Sequence, residues 1–181
     1  MCYAGTMQHR LFLGLDLLPH QKQQLATWQA QALAHPKAAV FSGNYHLTLA
    51  FFGERDDSEL TAIVQHCQEL VKPALHSHFG LLGYWPESET VYLAPSQPNR
   101  QLNDFANRLR ALFELSDRHP FSPHISLIRG AKKPATLVAE PANFTLQWQA
   151  LTLFRSRSTN AGVRYQALAR WPLPTPARLT P

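Results

Sequence analysis

Cysteine is scarce in this sequence: Cys2 and Cys67 are the only two in 181 residues. Two thiols cannot build a disulfide framework or a cysteine-based zinc site, so both are expected to be free in a reducing cytosol. Long apolar runs are missing too. No stretch approaches the ~18 residues that a membrane helix requires, and no membrane partner is expected. The opening residues, MCYAGTMQHR, lack a basic segment followed by an apolar core and a cleavage site, so no secretion signal is expected there. No glycine-rich cradle ending in Lys-Ser/Thr is present to hold a nucleoside triphosphate. Charged residues make up only 16%, but apolar residues reach 45%, the balance of one folded soluble domain. Acidic charge is depleted at one end. Residues 129–181 hold eight Lys/Arg against Glu140 alone, whereas residues 1–128 hold nine against eleven Asp/Glu. A neutral body with a basic final third suggests an anionic partner, although solubility alone would explain a basic surface. Arg155, Arg157, Arg164 and Arg170 lie in strand-like segments and could form one face.

The apolar pattern divides the chain into short elements. RLFLGLD (10–16) reads as a buried strand, and residues 19–34 as a helix with Leu25, Trp28 and Ala32 on one stripe. HLTLAFF (46–52) is a strong strand closed by Gly53. Asp56 or Asp57 caps a second helix, whose apolar positions Leu60, Ile63, Val64, Cys67, Leu70 and Val71 follow helical spacing until Pro73. Strands at 76–84 and 90–94 flank a polar turn at 86–89. A third helix spans 98–115, with Leu102, Phe105, Ala106, Leu109, Leu112 and Phe113 on one stripe. The loop RHPFSP then leads into HISLIRG, and two last strands are expected at 145–154 and 163–169. The tail, 171–181, holds too many prolines for regular structure.

Shifted by 78 residues, the sequence aligns with itself. His46 falls on His124, Leu47 on Ile125, Thr48 on Ser126 and Leu49 on Leu127, while Leu13 and Leu15 fall on Val91 and Leu93. The repeat units cover residues 9–53 and 88–131, and a pseudo-twofold axis would bring their equivalent positions together. In a strand, side chains at i and i+2 share a face, about 6.7 Å apart. His46 and Thr48 therefore share one face, as do His124 and Ser126, each backed by apolar neighbours. A strand with a merely wet polar face would explain one such motif; two matched motifs point to function. One imidazole can accept a proton while the other donates one, and the hydroxyls can hold an anionic centre between them. In-line displacement at phosphorus needs this set. It needs no metal if the leaving group is activated, as in a strained cyclic phosphate.

HLTLAFFG and HISLIRG resemble the paired His-x-Thr/Ser-x motifs of the two-histidine (2H) phosphoesterase superfamily. Within it, the chain resembles the bacterial RNA 2′,3′-cyclic phosphodiesterases, also called 2′–5′ RNA ligases, from RLFLGLDL to VRYQALARWPL. The resemblance implies an α+β fold: two pseudo-symmetric β-sheet lobes with helices on the outer faces and a central cleft. It implies opening of a terminal 2′,3′-cyclic phosphate on RNA to a 2′-phosphate, and ATP-independent 2′–5′ ligation in reverse. It also implies that His46 is the proton donor to the departing 3′ oxygen, that His124 is the proton acceptor that activates water, and that Thr48 and Ser126 hold the phosphate. Ser126 stands where threonine is also common, which keeps the hydroxyl. No cofactor is expected, and the chain is read as one cytoplasmic, monomeric catalytic domain.

Further candidates stand beside these. Arg129, five residues after His124, sits where a guanidinium can bind phosphate. Phe12 or Tyr165 is the candidate for stacking on a terminal base, whereas Tyr45, Phe51 and Phe121 are assigned to the core. His119, Pro120 and Pro123 belong to a stiff loop before His124. His66, His76 and His78 lack the matching ligands that a metal site needs. Alternative readings are a phosphodiesterase for small nucleotide-derived cyclic phosphates, a non-catalytic RNA-binding module, and a metal-dependent hydrolase.

Overall fold

The computed structural model describes residues 7–34, 39–116 and 119–175; Cys2 and residues 176–181 of the tail lie outside this set. Alternation of apolar and polar side chains builds two antiparallel sheets. The first contains β1 (His9–Asp16) and β2 (His46–Arg55), joined by β7 (Ala150–Thr159) and β8 (Gly162–Pro172) in the order β2-β1-β7-β8. The second contains β3 (Leu75–Trp85), β4 (Thr90–Pro95), β5 (Ile125–Arg129) and β6 (Phe144–Trp148) in the order β5-β4-β3-β6. The 78-residue shift lays β1 on β4 and β2 on β5, so the two sheets share one plan. The fold is a bilobal α+β arrangement, with three α-helices among the described residues.

Each helix has a local reason to start and a face to bury. α2 (Asp57–Glu69) begins at Asp56, whose carboxylate accepts from the Ser58 and Glu59 amides, both at 2.9 Å, while Glu59 reaches back to the Asp56 amide. α3 (Arg100–Leu112) is capped by Asn99 and buries Leu102, Phe105, Ala106 and Leu109. α1 (Pro19–Ala32) starts on a proline and buries two glutamines beside Leu25 and Ala32. Gln21 accepts from the Leu18 amide at 3.0 Å and so caps the helix start.

The other buried glutamine ties the lobes together. Gln29, 5% exposed, accepts a hydrogen bond from the Tyr45 hydroxyl at 2.6 Å and donates to the Leu127 carbonyl at 3.0 Å. Tyr45 precedes His46, and Leu127 follows Ser126. One amide therefore holds both motifs, where β2 and β5 come together between the sheets. The same Leu127 carbonyl also accepts from the Val40 amide at 2.8 Å.

Two expected boundaries fall elsewhere. Residues 145–154 are not one strand: β6 pairs with β3 in the second sheet, and β7 pairs with β1 in the first. Trp148 is buried in one lobe and Leu151 in the other, so the chain breaks at Gln149 to serve two cores. The tail also starts later than expected. Trp171 and Pro172 extend β8, because Trp171 is buried and β8 is an edge strand, where proline's missing amide leaves no partner unsatisfied.

Gln29→Leu should cost about 1–3 kcal/mol in urea unfolding, because it leaves the buried Tyr45 hydroxyl without a partner. Adding Tyr45→Phe should recover part of that loss. If the single variant unfolds at the wild-type urea midpoint, the glutamine is not a tie.

Candidate active site

His46 opens β2 at the end of a short 3-10 turn, Ser42–Asn44. Its Nδ1–H donates to the Asn44 carbonyl at 2.6 Å, which leaves Nε2 to accept from the Thr48 hydroxyl at 2.9 Å. β2 approaches β1 closely at this point: a Cβ on Gly14 would lie 2.8 Å from the Leu47 carbonyl and 3.5 Å from the His46 ring. The Asn44 side chain fixes the turn against β8, donating to the Val163 carbonyl at 2.8 Å and accepting from the Tyr165 amide at 3.2 Å. Aromatic rings surround the imidazole. Phe12 lies 4.8 Å from it, and Tyr165 meets it edge-on at 4.9 Å.

The second motif repeats this logic with different walls. His124 pairs its Nδ1 with the carbonyl of the residue two before it, Ser122, at 2.9 Å. Asn44 and Ser122 are themselves related by the 78-residue shift. Trp85 stands edge-on to His124 at 4.5 Å, and Tyr92 stacks on Trp85 at 3.9 Å. Tyr92 fits because Gly83 has no Cβ, which would otherwise lie 2.3 Å from its ring. Arg129 donates to the Ser126 hydroxyl at 3.1 Å.

His46, Thr48 and Arg129 line one cleft of about 710 Å³. Burial pushes the His46 imidazole from 6.5 down to about 4, and the nearby positive charges of His124, Arg129 and Lys22 add to the effect. His124 is also lowered, by burial first and then by Arg129. The two imidazoles thus share an electropositive site that resists protonation while empty. An anion placed there would relieve both the burial cost and the repulsion. Such a site can hold a phosphoryl group and move protons on either side of it.

The structure brings His46, Thr48, Tyr165 and Arg129 to the cleft and sets His124 and Ser126 beside Arg129. Phe12 is only 3% exposed, with Phe154 stacked on it at 5.0 Å. It is a floor for His46, not an open platform for a base. Phe51 is 46% exposed on the cleft wall and does not belong to the core, because β-bulges in β2 change its face. The four arginines of the final third do not form one face. Arg155 and Arg157 both reach Gln166, and Arg157 lies opposite Arg164, which lines the cleft, whereas Arg170 lies apart, opposite Thr152, and reaches Asp16. His66 bonds the Ala62 carbonyl on α2, while His76 and His78 lie exposed on β3. Cys67 is a buried free thiol held up to about 12.

Sequence reasoning missed Asn44, Gln29, Trp85 and Tyr92. For Tyr92 a signal existed, since the alternation that buries Val91 and Leu93 turns Tyr92 to the opposite face. Asn44 and Ser122 hold the histidines through backbone carbonyls, which no side-chain pattern reports.

The sheet pair presents two imidazole–hydroxyl strands beside one cleft, an arrangement suited to acid–base chemistry at a phosphoryl group. Residues 18–160 match the model of the 2′-5′ RNA ligase superfamily. The chain is 32% identical over 170 residues to the RNA 2′,3′-cyclic phosphodiesterase of Escherichia coli (strain K12), covering 91% of this chain and 96% of that protein. Among solved structures, a phosphoesterase is similar with a TM-score of 0.83 at 31% identity, over 92% of this chain and 99% of that one. E. coli LigT complexed with 3′-AMP has a TM-score of 0.79 at 31% identity, over the same shares of each chain. The chain belongs to the 2′-5′ RNA ligase superfamily.

The His46 pKa also sets a stability trend. The unfolded chain takes up the proton near 6.5 and the folded chain only near 4, so acidification between these values favours unfolding. Tm should fall as pH drops from 7 to 4. Inorganic phosphate should restore part of the loss, and its Kd should tighten over the same range. A flat Tm across this window would contradict the buried neutral imidazole.

Proposed function

We propose that this protein is an RNA 2′,3′-cyclic phosphodiesterase, opening a terminal cyclic phosphate to a 2′-phosphate by metal-independent two-histidine catalysis. The observation that carries this reading is the matched pair of imidazole–hydroxyl strands, each with Nδ1 fixed by a carbonyl two residues earlier. Fixing Nδ1–H aims the Nε2 lone pair of each neutral ring away from its own backbone. His124 takes a proton from water through Nε2, and the water oxygen bonds to phosphorus. The bond from phosphorus to the 3′ oxygen breaks, and His46, protonated once the anion is bound, gives its Nε2 proton to that oxygen. Protonation of His46 also releases the Thr48 hydroxyl from its role as donor to Nε2, so it can donate to a phosphate oxygen. Ser126 and Arg129 hold the phosphate from the other side. With a 5′-hydroxyl in place of water, the same course, again breaking the bond from phosphorus to the 3′ oxygen, joins two RNA ends by a 2′–5′ bond and needs no ATP.

Tyr165, edge-on to His46, is the aromatic group next to the terminal nucleoside. Both motifs come from one chain, so one copy carries the whole pair, and we read the enzyme as a single catalytic domain of two lobes that needs no second copy for catalysis. We place it in the cytoplasm, a reducing compartment that suits the free thiol of Cys67.

The test is turnover of an RNA with a 2′,3′-cyclic end in the presence of a chelator. His46→Ala and His124→Ala should each lower kcat by about 10²–10⁴-fold. Full activity in both variants, or none in the wild type, would refute the reading. The pH profile of kcat/KM should be bell-shaped with its optimum below 6.5, because both free-enzyme imidazoles are lowered. The kcat optimum should lie higher, since a bound anion raises both values.

A further inference from the structure

Large apolar side chains at the mouth of a charged cleft need a reason. Phe41 and Phe51 are 50% and 46% exposed, and both line the cleft that holds His46 and Thr48. Each ring lies under a guanidinium. Arg164 sits 4.1 Å from the Phe41 centroid and Arg10 sits 5.0 Å from the Phe51 centroid. The charged side chains lining this cleft are Arg10, Arg129 and Arg164; among the described residues no carboxylate lines it.

Both rings are placed there by specific backbone features. In strict alternation Phe51 would face away from Thr48, three residues earlier. However, Thr48 lies opposite Gly14 and Phe51 opposite Phe12, with one register shift in between, at Leu13/Gly14. Gly14 and Phe12 are two apart on β1 and share a face, so Thr48 and Phe51 do as well. The Phe41 ring folds back over Gly43, where a Cβ would fall 2.3 Å from it. A bulge on one rim and a bare glycine on the other thus hold an aromatic face beside an arginine.

We propose that Phe51 with Arg10, and Phe41 with Arg164, form two stacking subsites for nucleotides upstream of the reacting end of a single-stranded RNA. This rests on the phosphodiesterase reading and extends it, by assigning an oligonucleotide rather than a mononucleotide as the preferred substrate. A base lies on each ring, and the guanidinium that covers it in the free protein shifts to the adjoining phosphate. Stacking of this kind accepts any base, because every base has a π face, and the charged contact tracks the backbone. The subsites therefore read the presence of a chain and not its sequence.

The test uses a short 5′-fluorescein-labelled RNA ending in a 2′-phosphate, which binds without turnover and is followed by anisotropy. Phe41→Leu with Phe51→Leu keeps apolar bulk but removes the rings; Phe41→Tyr with Phe51→Tyr keeps them. The leucine pair should weaken RNA binding about tenfold or more, and the tyrosine pair should bind within about twofold of wild type. In turnover, the leucine pair should lower the ratio of kcat/KM for a cyclic-ended RNA over a 2′,3′-cyclic mononucleotide by a similar factor. Wild-type RNA affinity in the leucine pair, or an equal loss on both substrates, overturns the subsites while leaving the catalytic reading intact. A wild type inert towards both substrates refutes the catalytic reading instead, and the binding measurement still decides the subsites.

Discussion

A positive charge on a buried imidazole has to be compensated, and much of this site follows from that constraint. His46 sits on a floor of Phe12 and beside the edge of Tyr165, with the charges of His124, Arg129 and Lys22 near enough to oppose its own. Without an anion the ring stays neutral, and Thr48 occupies its free nitrogen. In the proposed mechanism an incoming phosphodiester supplies the missing negative charge, so His46 takes up from solvent, as the substrate binds, the proton needed for leaving-group departure. The aromatic floor, which contributes no chemistry of its own, sets how strongly this coupling operates.

The remaining architecture keeps two such rings in register. Both histidines direct Nδ1 to a carbonyl two residues back, and a single glutamine on α1 reaches the residue before one histidine and the residue after the opposite hydroxyl. Three of these bonds end on main-chain carbonyls and tolerate change in the side chains around them, whereas the fourth depends on the Tyr45 hydroxyl.

Much of this was legible in the sequence because it depends on local periodicity. The apolar spacing of α2 and α3 and the Asp56 cap are short-range facts, and the structure bears them out to within a few residues. The two histidine–hydroxyl strands are equally local. What could not be read depends on pairing. Phe51 changes face because β2 gains residues relative to β1, and a bulge leaves no mark in an otherwise continuous apolar run. The break at Gln149 was hidden because both flanking segments are strands with good β propensity; only their partners differ. Trp85 meets His124 through the course of β3, a contact between residues far apart in the chain. Gln21 and Gln29 were invisible because a polar residue on an apolar stripe reads as noise until its partners are known.

The crossing at Gln149 gives the two sheets different histories on the ribosome. The strands of the second sheet are drawn from one continuous stretch, Leu75 through Trp148, and that lobe can close as soon as the stretch has emerged. The first sheet holds β1 and β2 from the beginning of the chain but also needs β7 and β8 from near its end. During synthesis its earliest strands must wait, partly unsheltered, for the last ones to arrive. His46, translated long before His124, has Phe12 from the start but completes its aromatic surroundings only after Phe154 and Tyr165 have left the exit tunnel. The lobe begun first in sequence is thus the one completed last.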